Sequence, residues 1–303
     1  MKAMDPATVI LENAHLRVEL LPARGARLVS LLDRRMGREW LLPRQGPSGA
    51  DFAADPSGFD ECFPNVAPGP CPGGKLSWPD HGELWDHPWE VRREGEALVC
   101  RIQGRARPYA LTRRLALDGD TLCLDYELEN LGAEPFPHLW SAHPLLQVRP
   151  GMRVELPAGV DEVLVDSASD PALGVPGQVR PWPGSPLDLS LVAPRAAGIA
   201  VKLFVRDLPE GRCALVDPAT GHALRFAWDP AEIPHLGVWL CYGGWPSVAQ
   251  GQLTVALEPA TGMPDALDAA WRLGCARVLP AGGRSRWSFR MRSCLDENRA
   301  GEG

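Results

Sequence analysis

One short run of the sequence, HGELWDHPWEV at residues 81–91, concentrates groups that can do chemistry. It contains two histidines, three carboxylates and two tryptophans. Imidazoles and carboxylates bind metals or carry protons, and indole rings present a flat apolar surface with one polar group. The residue types therefore allow three interpretations: a metal site, a sugar-binding site, or a sheet edge whose polar residues face water.

The metal interpretation requires His81, Glu83, Asp86 and His87 to converge on one ion. Residues of like parity share a face of a strand, so His81, Glu83 and His87 could point together. A fully extended strand would separate the first from the last by ~20 Å, which is too far for a shared ion. A turn could close that gap, but the paired HxH followed closely by glutamate that cupins use is missing. We therefore predict no metal and no cofactor.

Two other segments place an ionisable residue at the end of a predicted strand. SAHPLL puts His143 immediately before Pro144, which removes a ladder donor and indicates an edge or a break in the sheet. QLTVALEPATG puts Glu258 on the same strand face as Thr254 and Ala256, whose small side chains leave room for a ligand. Each residue by itself is compatible with a functional role and with an ordinary surface position.

The dominant repeat of the chain is two residues, as in a half-buried β-strand. In TLCLDYELEN at residues 121–130, leucine and tyrosine alternate with cysteine, aspartate and glutamate. The preceding LTRRLAL segment is joined to it through Asp118-Gly119-Asp120, which suits a tight hairpin. Similar patterns predict further strands in LRVELLP, GARLVSLLD, AGIAVKLFV, GHALRFAW, QLTVALE and RWSFRMR.

One segment, PDALDAAWRLG at residues 264–274, is predicted to be a helix, with Pro264 in the first helical position and Gly274 at the C-terminal cap. Strands and helices do not alternate along the chain, which argues against a parallel α/β fold, and the glycine-rich phosphate-binding motifs are absent. Many short strands separated by Gly, Pro and Asp turns predict an all-β fold, an antiparallel sandwich or barrel.

Two long segments, residues 43–80 and 166–198, lack a regular pattern. Loops of this length in a compact domain are typically binding loops or linkers. The first contains GFDECFPNV, an apolar and acidic cluster that a linker would not need. Because no internal repeat is present, we predict a single domain over residues 1–303, with about eight flexible residues at the C-terminus.

The composition restricts the partners. The chain has 303 residues, a formal charge of −7 and 45% hydrophobic residues, which is typical of a soluble globular protein. The net negative charge argues against a nucleic-acid surface. No apolar run approaches the length of a membrane span, and the N-terminus lacks a signal-peptide core, so we predict no membrane association and a cytoplasmic location. Eight scattered cysteines without a CxxC pair predict unpaired thiols.

Five separated motifs occur in an order that resembles the aldose 1-epimerase, or galactose mutarotase-like, family. They are GFDECFPNV, HGELWDHPWEV, NLGAEPFPHLWSAHPLL, LEPATGMPDAL and VLPAGGRSRWSFRM. The early segment GARLVSLLDRRMGREWLLP also looks like the first hairpins of that family. The resemblance covers nearly the whole chain. It implies an all-β, antiparallel β-supersandwich with a sugar bound in a cleft on one concave sheet.

The resemblance also implies roles for individual residues. Carried over by position, His81 orients the substrate, His143 is the general acid and Glu258 is the general base. Asp60 and Glu61 are inferred neighbours of the site. One or more tryptophans would stack on the sugar ring, and the candidates are Trp78, Trp85, Trp89, Trp140 and Trp245. The family's early arginine motif is replaced here, so its galactose contacts are not carried over.

The implied activity is that of a cofactor-free isomerase, a mutarotase that interconverts the anomers of a small-molecule sugar by acid–base ring opening. Two alternatives stay open. One is a non-catalytic carbohydrate-binding or regulatory module on the same fold. The other is a sugar-phosphate epimerase, which requires arginines such as Arg105, Arg107 or Arg206 around the cleft. The sequence specifies neither the sugar nor an oligomeric state.

Overall fold

The computed structural model describes residues 8–44, 56–184, 187–206 and 208–296. In chain order, the strands of the first half are β1 (Val9–Glu12), β2 (Leu16–Leu21), β3 (Arg27–Asp33), β4 (Arg38–Glu39), β5 (Phe59–Cys62), β6 (Gly69–Pro70), β7 (Ser77–Trp78), β8 (Glu90–Glu94), β9 (Ala97–Gln103), β10 (Tyr109–Asp118), β11 (Thr121–Asn130) and β12 (Phe136–His138). Those that follow are β13 (Ser141–Gln147), β14 (Arg153–Glu155), β15 (Glu162–Ala168), β16 (Val179–Pro181), β17 (Ile199–Val205), β18 (Arg212–Asp217), β19 (His222–Trp228), β20 (His235–Tyr242), β21 (Leu253–Ala260), β22 (Arg277–Leu279) and β23 (Arg284–Leu295).

Among the described residues there is one α-helix, α1 (Leu267–Arg272), and two short 3-10 helices span Pro171–Leu173 and Arg195–Ala197. None of these helices is long and apolar enough to cross a membrane. The eight cysteines are unpaired, as the sequence predicts. The predicted C-terminal tail falls almost entirely outside the described residues.

The strands form two large antiparallel sheets and two small ones. The larger has eleven strands in the order β1-β2-β3-β5-β13-β21-β20-β17-β15-β16, with β4 paired to β3. The second has eight, in the order β14-β18-β19-β23-β11-β10-β9-β8. Neighbouring strands in both run antiparallel. The predicted all-β antiparallel fold is therefore confirmed.

The two sheets share one apolar core, and strict alternation along the strands builds it. In β11, Leu122, Leu124, Tyr126 and Leu128 are buried while the residues between them are half-exposed. Facing residues of the larger sheet, such as Leu257 of β21, belong to the same cluster. Each strand of the larger sheet consequently turns one set of side chains to the core and the other set away from it.

Some local predictions are wrong. The helix begins at Leu267 rather than at Pro264. Asp265 lies before the helix and directs its carboxylate to Lys202. The segment 43–80, predicted as a loop, contains β5 in the larger sheet. Of the edge or break predicted at Pro144, only the edge is wrong: β13 lies inside the sheet, and its pairing to β21 is interrupted near this proline, which is a break.

Glu61, a predicted neighbour of the site, instead faces the core. Its carboxylate accepts hydrogen bonds from Arg113 (2.7 Å), the Tyr126 hydroxyl (2.8 Å) and the Trp140 indole (2.6 Å). Both Glu61 and Arg113 are fully buried. Such a pair matters for stability because removal of either partner leaves the other as an uncompensated buried charge.

We predict that Glu61→Ala lowers the free energy of unfolding by about 3–5 kcal/mol, because it leaves the Arg113 guanidinium unpaired in the core. Urea unfolding measures the change. Glu127→Gln is the control: Glu127 pairs with Arg286 on the outer face of the second sheet, where both side chains are substantially exposed, and it should change stability by less than about 1 kcal/mol. Similar losses in the two variants would contradict a structural role for Glu61.

Candidate active site

Three ionisable residues form a row on the face of the larger sheet that points away from the core. Asp60 lies in β5, His143 in β13 and Glu258 in β21, which are neighbouring strands. The register pairs Asp60 with His143 directly. It also pairs Ser141 with Ala260 and Leu145 with Ala256, which places His143 opposite Glu258. The residues meet because same-parity positions of paired strands share a face.

Asp60 holds two histidines at once. Its Oδ1 lies 3.1 Å from Nδ1 of His143, and its Oδ2 lies 3.1 Å from Nδ1 of His81. Since an ionised carboxylate only accepts, each imidazole donates from Nδ1, and the Nε2 atom of each ring lies on the side away from Asp60. Burial opposes ionisation of Asp60, but the charges and hydrogen bonds of His143 and His81 outweigh it and hold the pKa of Asp60 well below its usual range.

His81 reaches this cluster from a tight turn. Its backbone has φ 58°, and Gly82 follows with φ 72°. A Cβ at position 82 would lie 1.9 Å from the carbonyl oxygen of Phe63, so only glycine fits there. The turn is fixed by a hydrogen bond of 2.7 Å from the His81 N–H to the carbonyl of Val66. The turn at His81 and Gly82 therefore orients the His81 imidazole toward Asp60.

The two oxygens of Glu258 have different environments. Oε2 contacts the ammonium group of Lys202, whereas Oε1 has no hydrogen-bond partner and lies 4.0 Å from Nε2 of His143. The Glu258 side chain is only 1% exposed. A buried carboxylate oxygen without a partner is unfavourable. Oε1 is therefore poised to accept a hydrogen bond from a ligand in the cavity that Glu258 and His143 both line.

An open cavity of about 190 Å³ lies over this row. This volume is more than ten times the roughly 10–15 Å³ that a cavity needs to admit one water, so the cavity has room for a ligand larger than a few waters. Two tryptophans, Trp239 and Trp245, contribute to its lining, and so do polar groups on several strands and loops. The polar residues that line it include Asp80, Ser167, Gln252 and Asp265, in addition to His81, His143, Lys202 and Glu258.

The structure brings four of the predicted site residues to the cavity and excludes others. His81, His143, Glu258 and Trp245 line it, and Asp60 lies directly behind the two imidazoles. The other tryptophan candidates do not line this cavity: Trp78, Trp89 and Trp140 are buried in apolar clusters, and Trp85 packs against Leu42 and Leu145.

Most of the run that follows His81 supports the fold instead. Glu83 accepts a hydrogen bond of 2.8 Å from the Tyr109 hydroxyl and two weaker ones from backbone N–H groups of a loop. His87 pairs with the adjacent Asp86 at 2.9 Å. The run does not form a single strand, since β8 begins only at Glu90.

Sequence reasoning missed six of the polar and aromatic lining residues: Asp80, Ser167, Lys202, Trp239, Gln252 and Asp265. Lys202 carried a usable signal, because it interrupts the otherwise apolar strand segment IAVKLFV. A charge in the middle of such a strand is rarely buried without a partner. The others carried no signal of comparable strength, because their positions depend on how β20 and the loops around it pack.

Asp60, His81 and His143 are also a group whose possible metal-ligand atoms lie within 4.8 Å of one another. Both Nδ1 atoms, however, are already engaged by the Asp60 carboxylate. A metal bound between the three would have to replace those hydrogen bonds. We therefore assign the group as a hydrogen-bonded pair of imidazoles and not as metal ligands.

A larger groove of about 760 Å³ crosses the outer face of the second sheet and is rich in arginine. Each of these arginines has a carboxylate within 4 Å: Arg153 with Asp188, Arg212 with Glu210, Arg225 with Asp296, Arg290 with Asp125 and Arg292 with Asp120. The positive charge is thus neutralised locally, and the groove offers no unpaired cation for an anionic ligand.

The comparisons with known proteins come from structure and not from sequence. The sequence matches no family model and no curated protein. Solved structures match over nearly the full chain. The Slr1438 protein from Synechocystis sp. PCC 6803 is 19% identical, with 96% of each chain covered and a TM-score of 0.75.

Two further structures carry descriptive names. A galactose mutarotase-like protein from Lactobacillus casei ATCC 334 is 19% identical, with 95% of this chain and 100% of that chain covered and a TM-score of 0.65. A galactose mutarotase related enzyme from Lactobacillus acidophilus is 14% identical, with 96% and 98% covered and a TM-score of 0.71. This chain therefore has the galactose mutarotase-like fold, which confirms the resemblance at the level of the fold. Because the identities are low, activity has to be argued from the site.

The geometry around Asp60 predicts a perturbed titration of His81. Burial opposes protonation of His81, but the hydrogen bond and charge of Asp60 outweigh it, so the pKa of His81 lies above its ordinary value of 6.5. In Asp60→Asn the burial remains while the charge is lost, and this pKa should fall below 6.5. The pKa of His81 in the wild-type protein and in Asp60→Asn can be measured by NMR, from the ring nitrogen chemical shifts followed against pH.

His138 provides an internal reference for that titration. It is buried beside Phe136, and burial lowers its pKa to about 4. The His138 signals should be the same in the wild-type protein and in Asp60→Asn. An unchanged His81 titration in the variant would mean that Asp60 does not set the charge of this imidazole.

Proposed function

We propose that this protein is a mutarotase that interconverts the anomers of an uncharged aldose in the cavity above the Asp60–His143–Glu258 row. The observation that carries the proposal is the unpartnered Oε1 of Glu258, 4.0 Å from Nε2 of His143 across the cavity. A base and an acid at this separation can each approach one of the two oxygens bonded to the anomeric carbon of a pyranose.

The chemistry needs one proton acceptor and one proton donor. Oε1 of Glu258 takes the proton of the anomeric hydroxyl while protonated His143 gives its Nε2 proton to the ring oxygen. The C1–O5 bond breaks, its electron pair goes to O5, and the open-chain aldehyde rotates about C1–C2. The reverse transfers then close the ring on the other face. His81, held by the same Asp60 carboxylate, would donate to a sugar hydroxyl and fix the ring in place.

The lining of the cavity supports an uncharged sugar over a phosphorylated one. No arginine lines it within the described parts of the chain, and its one lysine is already paired with Glu258 and Asp265. Arg206 lines a different depression and pairs with Glu162. The tryptophans Trp239 and Trp245 offer apolar surface for a pyranose face.

A second candidate, a carbohydrate-binding module without catalysis, would use the same cavity. Either function could use Oε1 of Glu258 to accept a hydrogen bond from a sugar hydroxyl, but only the enzyme needs a second ionisable group, Nε2 of His143, within 4.0 Å of it. The acid–base geometry therefore favours the enzyme. A cytoplasmic location stays a prediction from the sequence.

Glu258→Gln should lower the rate of mutarotation by about 10²–10⁴-fold, because the amide cannot accept the anomeric proton. Polarimetry of a freshly dissolved pure anomer measures the rate, with a panel of free aldoses to find the substrate. Glu127→Gln, on the outer face of the second sheet, is the control and should leave the rate unchanged.

Two outcomes would overturn the assignment. If Glu258→Gln is as fast as the wild-type protein, Glu258 is not the base. If the wild-type protein binds an aldose in a calorimeter but accelerates the anomerisation of none, the binding module is correct and the mutarotase is not.

We also expect the protein to act faster on a free hexose than on the same hexose carrying a 6-phosphate. The phosphate would bring about two negative charges toward a cavity lined by Asp80, Glu258 and Asp265, with Lys202 as its one lysine. The ratio of the two kcat/KM values, measured by exchange NMR, decides the question. A higher kcat/KM for the phosphate ester would restore the sugar-phosphate alternative.

A further inference from the structure

Lys202 reaches Glu258 across an intervening strand. Lys202 lies in β17 and Glu258 in β21, and β20 runs between them. The register pairs Glu258 with Gly237 of β20 and pairs Lys202 with Trp239, two residues further along the same strand. The lysine side chain must therefore pass diagonally over position 237 to meet the carboxylate.

Glycine at position 237 keeps that path open. A Cβ built there would lie 3.1 Å from Cε and 3.2 Å from Nζ of Lys202, and 3.3 Å from Cβ of Glu258. These distances are closer than ordinary van der Waals contact. With a Cβ at position 237, the end of Lys202 or the Glu258 side chain would have to shift by a few tenths of an ångström, and such a shift would alter the contact between the two.

The groups around Glu258 include both acidic and basic side chains. Lys202 faces it from β17, His143 from β13, and Asp265 from the segment before α1, 3.4 Å from the lysine Nζ. The other titratable groups that interact with Glu258 or lie behind His143 are Asp166, His81, Cys62 and Asp60. Lys202 is the one lysine or arginine that lines the cavity within the described residues.

We propose that Lys202 is a positioning residue: it holds Oε2 of Glu258, leaves Oε1 alone to face the substrate, and places a positive charge next to this carboxylate. The inference rests on the proposed function for the role of Glu258 as the base. It adds a residue of the cavity lining whose effect on the reaction is exerted through Glu258.

The charge states of the neighbours agree with this role. Burial opposes protonation of Lys202, but Asp265 and Glu258 outweigh it and hold the pKa of Lys202 above its usual range. Burial raises the pKa of Asp265 to about 7, and the carboxylates of Asp166 and Glu258 add to the shift against the opposing charge of Lys202. Without Lys202, the Glu258 carboxylate would be buried with no ammonium group against Oε2, and a buried charge without a partner is unfavourable.

Lys202→Met and Lys202→Arg separate charge from packing, because methionine removes the charge and arginine keeps it. In Lys202→Met the acid limb of kcat/KM should move to higher pH by about one unit or more, so that activity near neutral pH falls about tenfold or more and recovers as the pH rises. In Lys202→Arg the acid limb should stay near its wild-type position. KM should change little in either variant.

Gly237→Ala tests the same arrangement without removing any charged group. The added methyl should weaken the contact between Lys202 and Glu258 and move the acid limb in the same direction as Lys202→Met, by a smaller amount. If Lys202→Met does not fold, Gly237→Ala still tests the contact between Lys202 and Glu258. An acid limb that stays in place in Gly237→Ala and in any folded Lys202→Met, with kcat lowered equally at all pH values, would overturn the proposal and leave Lys202 a structural residue.

A readout that does not require activity distinguishes this inference from the proposed function. Carbon NMR of glutamate carboxyls, with the Glu258 signal assigned from its loss in Glu258→Gln, follows the titration of Glu258 directly. If the wild-type protein anomerises no sugar, the proposed function fails, and this titration still decides whether the charge of Lys202 acts on Glu258. A Glu258 titration unaffected by Lys202→Met would overturn that part of the proposal.

Discussion

The strict alternation of side chains along the eleven-stranded sheet is the constraint on which the site depends. The strands that carry Asp60, His143 and Glu258 also carry the apolar residues that pack against the second sheet. A slip of one residue in any of these strands would bury its ionisable residue in the core and expose its apolar ones. The packing of the core thus fixes the register, and the register fixes which ionisable groups meet.

The site itself is a set of buried charges, each with a partner. Asp60 is paired with two imidazoles, and Oε2 of Glu258 with an ammonium group. Buried charges that are fully paired hold their side chains in one geometry, whereas an unpaired one would be neutralised or would disrupt the packing. Oε1 of Glu258 is left without a partner. The ion pair that holds Glu258 in place therefore also leaves one of its oxygens free to meet a ligand.

Local pattern was a good guide wherever alternation was strong. The predicted TLCLDYELEN strand coincides with β11, and the other predicted strands overlap observed ones. It failed at β5, which is only four residues long and lies among loops. If the segment had been predicted as a strand, Phe59 and Glu61 would have been assigned to one face and Asp60 and Cys62 to the other. Asp60 and Glu61 would then have been placed on opposite sides of the sheet. Because the segment was predicted to be a loop, Asp60 and Glu61 were both predicted to be neighbours of the site.

By itself, the sequence determined the fold class, the core faces of the longer strands, and the candidacy of His143 and Glu258, because these follow from local periodicity and residue type. Only the tertiary structure decided that Asp60 bridges His81 and His143, that Glu61 belongs to the core, and that Lys202 crosses β20 over Gly237 to reach Glu258. The reason is physical: antiparallel sheets join strands that are far apart in the chain, so the partner of a charged side chain is set by non-local pairing and register, which no local pattern encodes.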